Sequence, residues 1–381
     1  MKIPILRLNY SDREINQIKK EIVEVLKSNY LTMGKKVESF EKKFADYVGA
    51  KYAVATNSGT SSLEIILRAI GCEGKSVIVP TITFMATAIA VIHAGAKVIF
   101  TDVTKEDLSI DPEDLKKKIR RDTRAVILVH IGGIISSNFY KIKRICEERK
   151  IFLLEDAAHA FGASIDEKMA GTLGIAGSFS FYPTKIITTA EGGMITTNNR
   201  EIYRKARILR EHGKKNPNYN IHTEFGYNWR FSELHAILGL QQMRKAKKII
   251  KERQEIARYY DEKLKDVKGL EPIKIPPNIK SPFHKYILYL EKGIEPAKVK
   301  KAMLEKYDIC LPGEVYREPC HSQPVFKKYP KWILNKSNDT FPSARYVCSR
   351  QVCLPLYPGL KKKELEYIVK SFKKAIRDIK K

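Results

Sequence analysis

The sequence has no apolar run of the roughly 20 residues that a bilayer-crossing helix needs, which excludes a helical membrane protein and predicts a soluble globular chain. Its six cysteines (Cys72, Cys146, Cys310, Cys320, Cys348 and Cys353) show no CxxC spacing. They therefore suggest neither a zinc site nor a redox pair, and read as reduced thiols. The first residues, Met1-Lys2-Ile3-Pro4-Ile5-Leu6-Arg7, offer no apolar export region and no small-residue cleavage site, so a cytoplasmic protein is expected. Internal repeats and low-complexity tails are also missing. Acidic residues are scarce beside basic ones: 43 Asp and Glu stand against 70 Lys and Arg, a net charge of +27. Such a surplus raises the question of nucleic acid or an anionic ligand. The lysines, however, are scattered, as in Lys116-Lys117-Lys118, Lys247-Lys248 and Lys361-Lys362-Lys363, mostly within helical patterns. They read as solvated helix faces, and no nucleic-acid partner is expected.

What is present is length and periodicity. A chain of 381 residues exceeds the roughly 250–300 that one hydrophobic core serves, so two units are expected. Apolar residues Ile15, Ile18, Ile22, Val25 and Leu26 recur at helical spacing between Ser11 and Ser28, and a second helix is predicted around Val37 to Tyr47. Strands and helices then alternate. Strands are predicted at Tyr52–Ala55, Ser76–Val79, Lys97–Phe100, Ala125–Val129 and Ile151–Leu154. Between them lie helices at Ser61–Ile70, Thr87–Ala94, Pro112–Ile119 and Asn138–Arg149. Continuous Val, Ile and Leu strands separated by helices predict an α/β fold with a parallel sheet covered on both faces, and ligands at the carboxyl ends of its strands. Further on, short strands are predicted at Ser178–Phe181 and Gly193–Thr197, and a long helix from Ser232 to Leu264. A Pro-rich connection then leads to a strand at Tyr286–Leu290 and helices at Pro296–Lys306 and Lys362–Ile379. The division expected is a large unit over 1–250, its amino-terminal helix able to pack on the other unit, and a smaller α+β unit over 251–381.

Three stretches carry chemistry. Asn57-Ser58-Gly59-Thr60-Ser61-Ser62 joins a strand to a helix, where a glycine lets the backbone approach an anion and free amides can hold a phosphate. A plain Ser-capped helix explains it equally well. Asp156 ends an apolar strand, a place where a carboxylate can hold a cationic ring nitrogen, cap the next helix or bind a metal. His159 follows three residues later and could share its pocket or be a structural histidine. In Ser178-Phe179-Ser180-Phe181-Tyr182-Pro183-Thr184-Lys185, one lysine stands among small, aromatic and hydroxyl residues just before the Gly192-Gly193 pair. In an apolar pocket such a lysine can lose its proton near neutral pH and attack a carbonyl; the alternative is an ordinary surface lysine. A phosphate cradle, a carboxylate for a ring nitrogen and a nucleophilic lysine together describe a site for pyridoxal phosphate.

The resemblance is specific. NSGTSSLEIILRAIG (57–71), VIVPTITFMATAIAVIHAGAKVIFTDV (77–103), LLEDAAHAFGA (153–163), GSFSFYPTKIITTAEGGMITT (177–197), LREHG (209–213), GYNWRFSELHAILGLQQ (226–242) and LPLYPGL (354–360) appear in order. The chain thereby resembles the DegT/StrS family of pyridoxal-phosphate-dependent sugar aminotransferases, of fold type I. That resemblance implies a large domain with a mostly parallel seven-stranded sheet between helices and a smaller α+β domain. It implies that Lys185 carries the cofactor as a Schiff base and Asp156 pairs with its ring nitrogen. His159 would lie near the ring and its phenolic oxygen, and Phe84 would stack on the ring. Gly59, Thr60 and Ser180 would bind the phosphate, joined by Asn228 from a neighbouring subunit of a homodimer. Arg230 is the candidate for a substrate carboxylate or phosphate, and His321, in Pro319-Cys320-His321-Ser322-Gln323-Pro324, for a sugar contact. At Ile131-Gly132-Gly133-Ile134-Ile135 the chain departs from the aromatic-Gly-Gln type of loop found in many relatives.

The expected reaction is transfer of an amino group from glutamate to a keto sugar, a nucleotide-linked 4-keto or 3-keto hexose, for glycan or antibiotic-type amino sugars. A keto-cyclitol of the inosose type as substrate, or a cofactor-binding regulatory protein without turnover, are the alternatives. Lys185 itself favours transamination over the dehydrating relatives, which carry histidine at that position.

Overall fold

The computed structural model describes residues 1–8, 10–216 and 219–380. Its strands are β1 (Tyr52–Thr56), β2 (Ser76–Pro80), β3 (Lys97–Thr101), β4 (Thr123–Val129), β5 (Phe152–Asp156), β6 (Ser164–Ile165), β7 (Lys168–Met169), β8 (Ala176–Ser180), β9 (Gly193–Thr197), β10 (Leu270–Pro272), β11 (Ile279–Lys280), β12 (Tyr286–Leu290) and β13 (Gln351–Leu354). Helices α1 (Asp12–Ser28), α2 (Lys35–Val48), α3 (Gly59–Ala69), α4 (Met85–His93), α5 (Pro112–Lys118), α6 (Phe139–Glu148) and α7 (Arg200–Arg210) surround the first nine strands. The rest are α8 (Glu233–Leu264), α9 (Pro296–Tyr307), α10 (Pro324–Lys328), α11 (Pro342–Arg350) and α12 (Lys362–Lys380).

Local chemistry sets the ends of these elements. Ser11 and Glu14 form a reciprocal capping box at the start of α1, and Asn29 closes that helix in the left-handed conformation. Asp111 caps α5, which has Pro112 in its first turn. The central sheet runs in the order β1-β9-β8-β5-β4-β2-β3. Its strands are parallel from β3 through β8, and β9 runs antiparallel to both β8 and β1. Burial on both faces explains the continuous apolar strands. Val77 and Val79 face one core with α3 and α4, whereas Ile78 faces the other with α2 and α6. Ala125 and Ile127 alternate with Val126 and Leu128 in the same way.

A third core packs β12 and β13 against α9 and α12 through Leu288, Leu290, Val352, Leu354, Met303 and Phe372. Two elements join it to the rest. Helix α8, about 48 Å long for its 32 residues, gives Ala236, Leu240 and Ile249 to the sheet core and Ile256, Tyr260 and Leu264 to the third core. Strand β12 turns Ile287 and Tyr289 toward the sheet core and Tyr286, Leu288 and Leu290 toward the third. Helix α1 lies against α8, tied by Glu14 to Lys245 at 2.8 Å and by Gln241 to Glu21 at 3.2 Å.

Helices α7 and α11 and strand β13 were not expected from periodicity. In α7 the buried stripe of Ile202, Ala206 and Leu209 is embedded in charged residues, and Asn199 supplies the cap. Strand β13 has only four residues and follows α11 without a break, so no turn signal separates them.

Beneath the sheet, Phe44 touches the rings of Phe40, Phe161, Phe179 and Phe181, with centroids 4.9–6.1 Å apart. Because Phe179 and Phe181 flank Ser180, this cluster supports one wall of the site. Phe44→Ala is expected to cost about 3–5 kcal/mol in a denaturant titration of the folded chain. A loss under about 1 kcal/mol would mean that the cluster is loosely packed.

Candidate active site

A cavity of about 550 Å³ opens where β4, β5 and β8 end, and it is lined by Gly59, Thr60, Phe84, Asp156, His159, Ser180 and Lys185. Residues separated by up to 126 positions thus meet because parallel strands deliver their carboxyl ends to one edge.

At the anion end, Ser58 caps α3 by accepting from the Ser61 amide at 3.0 Å. The Gly59 and Thr60 amides of the first turn are left without an intrahelical acceptor. The backbone comes very close here. A Cβ on Gly59 would lie 3.0 Å from the Ser180 Cβ, and one on Gly193 would lie 2.3 Å from the Ser58 carbonyl oxygen. Both glycines are therefore required for α3 to seat beside Ser180, which makes a compact pocket of amides and hydroxyls suited to phosphate.

Asp156 is buried, and both of its oxygens are oriented. Oδ2 accepts from the Thr87 hydroxyl at 2.7 Å and Oδ1 from the Ala158 amide at 3.1 Å. Because Thr87 gives its proton to Asp156, Thr83 must donate in the 2.7 Å contact between the two threonines. Each carboxylate oxygen keeps a lone pair for a ring N–H. The neighbouring Glu155 is structural: fully buried, it accepts from the amides of Gly171, Leu173 and Gly174 and contacts His130 at 2.9 Å.

His159 stacks on His284 with centroids 4.1 Å apart, and its Nδ1 accepts from the Gly132 amide at 3.3 Å. That places its proton on Nε2. Burial, with the charges of Lys185 and Lys285, holds the imidazole well below its ordinary pKa, so the ring is neutral. The Gly132-Gly133 turn is thus a support for His159. A Cβ on Gly133 would approach the His159 carbonyl oxygen to 2.9 Å, and one on Gly132 the Ile287 Cδ1 to 2.8 Å.

Lys185 is half-buried. Burial brings its pKa from 10.5 down to about 8, with Asp156 pulling upward and Lys285 pushing further down. At pH 7 roughly 10% of such amines are neutral, against roughly 0.03% at the ordinary value. Phe84 is 63% exposed at the rim, 6.1 Å from the ring of Tyr316, so one of its faces is available for stacking.

Three expected residues lie elsewhere. Asn228 and Arg230 line a separate cavity of about 340 Å³ that shares Glu191 with the first. The Arg230 guanidinium is already bonded to Glu211 at 2.8 Å. His321 contacts Thr81 and stacks on Phe341 at 4.1 Å without lining the main cavity, and burial beside Arg345 lowers its pKa to about 4. Conversely, the cavity contains His284, Lys285, Glu314 and Tyr316, which sequence reasoning did not single out. The one available signal was a His-Lys pair at the threshold of the apolar strand β12. Arg253 fixes that pair from α8, donating to the carbonyls of Phe283 and His284 at 2.9–3.1 Å.

These residues fit pyridoxal phosphate: a cradle for the phosphate, an oriented carboxylate for the ring nitrogen, an aromatic wall and a lysine of lowered pKa. Comparison with known proteins agrees. The sequence model described as the DegT/DnrJ/EryC1/StrS aminotransferase family matches residues 12–373. The chain is 34% identical to the spore coat polysaccharide biosynthesis protein SpsC of Bacillus subtilis, over 94% of this chain and 93% of that protein. It is 31% identical to a UDP-4-amino-4,6-dideoxy-N-acetyl-beta-L-altrosamine transaminase of Campylobacter jejuni, over 98% and 99% of the two chains. A putative sugar aminotransferase from Streptococcus pneumoniae, solved in its PLP form, superposes with a TM-score of 0.89 at 25% identity, covering 100% of both chains.

The lowered pKa of Lys185 has a direct consequence. Capture of pyridoxal phosphate by the cofactor-free protein, read as modified Lys185 after borohydride reduction, is expected to rise with pH to a half-maximum near 8. Asp156→Ala removes the group that favours the ammonium, so the midpoint moves down; a midpoint near 10.5 in the parent protein would show Lys185 to be fully solvated.

Proposed function

The chain belongs to the DegT/DnrJ/EryC1/StrS aminotransferase family, whose members depend on pyridoxal phosphate, and from that premise we propose that it moves an amino group from glutamate to a nucleotide-linked keto hexose. The observation that carries this reading is the convergence of Lys185, Asp156, His159 and the Gly59-Thr60-Ser180 cradle on one cavity. The bound cofactor supplies an electron sink that stabilises a carbanion on the carbon bearing the amino group.

The chain's own groups do the rest. The first turn of α3 and Ser180 would hold the phosphate. Asp156 keeps the ring nitrogen protonated by charge pairing, and the Thr83–Thr87 relay stops its carboxylate from rotating away. Phe84 covers a ring face. The neutral His159, with its proton on Nε2, would supply a hydrogen-bond donor beside the cofactor ring. Lys185 is the base that would take the proton from the donor's α-carbon and deliver it to the cofactor carbon on the far side of the shared nitrogen, two atoms away; a pKa near 8 suits both transfers near neutrality.

A nucleotide-linked substrate suits the surroundings. A second cleft of about 570 Å³ shares Glu314 with the first and carries Arg317 and Arg345, which have no ion-pair partner among the described residues. Their charge suits a diphosphate, although Glu295 and Glu318 also line the cleft. A homodimer completes the proposal. Asn228 lies in a loop whose Phe225 is 94% and Tyr227 50% exposed, apolar area that a second copy would cover while Asn228 reaches its phosphate cradle.

The test is spectroscopic. Glutamate should abolish the visible absorption of the cofactor-loaded protein, and a nucleotide-linked keto hexose should restore it. Lys185→Ala should lower kcat by at least about 10²–10⁴-fold while leaving the phosphate cradle able to retain the cofactor. A loaded protein indifferent to glutamate and to every other amino donor would sink the proposal.

A further inference from the structure

Lys285 has no task in the chemistry above, yet the backbone that presents it to the cavity is held by several hydrogen bonds. Its amide donates to the Gly132 carbonyl at 3.2 Å, Arg253 grips the two preceding carbonyls, and the adjacent His284 is stacked on His159. The ammonium, by contrast, is uncommitted. Among the described residues it makes no hydrogen bond or ion pair, although it is half-buried and lines the cavity. The nearby acids are engaged: Glu314 is bonded to Lys300 at 2.9 Å, and both oxygens of Asp156 accept internal bonds. Burial therefore lowers the pKa of Lys285 with little compensation. A partly desolvated cation facing a ligand cavity gains most from an anion that the ligand brings. The cation expected from the sequence to serve that purpose, Arg230, already has Glu211.

We propose that Lys285 binds a carboxylate carried by a ligand of this site and thereby sets its specificity for acidic molecules. The inference rests on the aminotransferase reading for its two sources of carboxylate, the amino-acid donor or a keto sugar of the uronate type. In either case the contact forms in a cavity where water competes less than at the surface.

The test uses cofactor-loaded protein, parent and Lys285→Met, titrated calorimetrically with glutarate, a donor-like anion without an amine, and with galacturonate; galactose is the neutral control. Lys285→Met is expected to weaken glutarate about 10–100-fold if the donor is held, or galacturonate by as much if the sugar is held. Cofactor absorbance and melting temperature should stay unchanged, and Lys285→Arg should restore affinity to within about threefold of the parent. The proposal is overturned if the parent binds neither anion, or if neither affinity changes by more than about twofold. It is equally overturned if Lys285→Met loses cofactor or melting temperature and Lys285→Arg fails to recover anion binding. Because binding is read without turnover, failure here leaves glutamate-driven amino transfer standing. Anion binding through Lys285 in a protein that transfers no amino group would sink the aminotransferase reading alone.

Discussion

The site depends on a carboxylate fixed at the end of a buried strand. Asp156 can face a ring nitrogen only because β5 is flanked by β4 and β8 in parallel register, and because Thr87 and the Ala158 amide hold its oxygens. The same register places Ser180 two residues beyond Ser178, the strand partner of Asp156, so the carboxylate and the pocket proposed for the phosphate are set at a fixed separation. The glycines at 59 and 193 keep that separation small, since a methyl group at either would force α3 away from the strands.

Electrostatics then follow from enclosure. Lys185 and Lys285 share a cavity with His159 and His284, and each positive charge discourages the next. The result is two neutral imidazoles and, in Lys185, an amine whose pKa of about 8 suits the proton transfers proposed for it. The carboxylate that opposes Lys185, Asp156, is also the one proposed to pair with the ring nitrogen, so the requirements of cofactor binding and of an available lysine would be balanced on the same group.

The far wall comes from the other end of the chain. Helix α8 and strand β12 each serve two cores, which braces the segment carrying His284 and Lys285, while Val315 packs in the sheet core and donates to the Gln351 side chain at 3.0 Å between Glu314 and Tyr316. Arg253 is the physical link: a buried guanidinium in α8, its pKa lowered to about 9 by desolvation, spends its donors on the backbone that presents His284 and Lys285.

Much of this was legible in the residues. Alternating apolar strands and helical stripes specify the parallel sheet, because both faces of such a sheet must be covered and the sequence says so locally. Asp156 after an apolar run, Gly59 between strand and helix, and Lys185 among small residues are local signals too, which is why the sequence names them as candidates that the fold then gathers on one cavity. The pairing of His159 with His284, the uncommitted state of Lys285 and the engagement of Arg230 by Glu211 were not legible. Each depends on where a distant loop lands, and a charged or aromatic residue reads the same in sequence whether its partner is a neighbour or water. The sequence by itself determined the sheet, its strand-end chemistry and the cofactor those residues suit. Only the tertiary structure decided which cations remain unpaired inside the cavity, since charge compensation is a property of three-dimensional neighbours rather than of chain order.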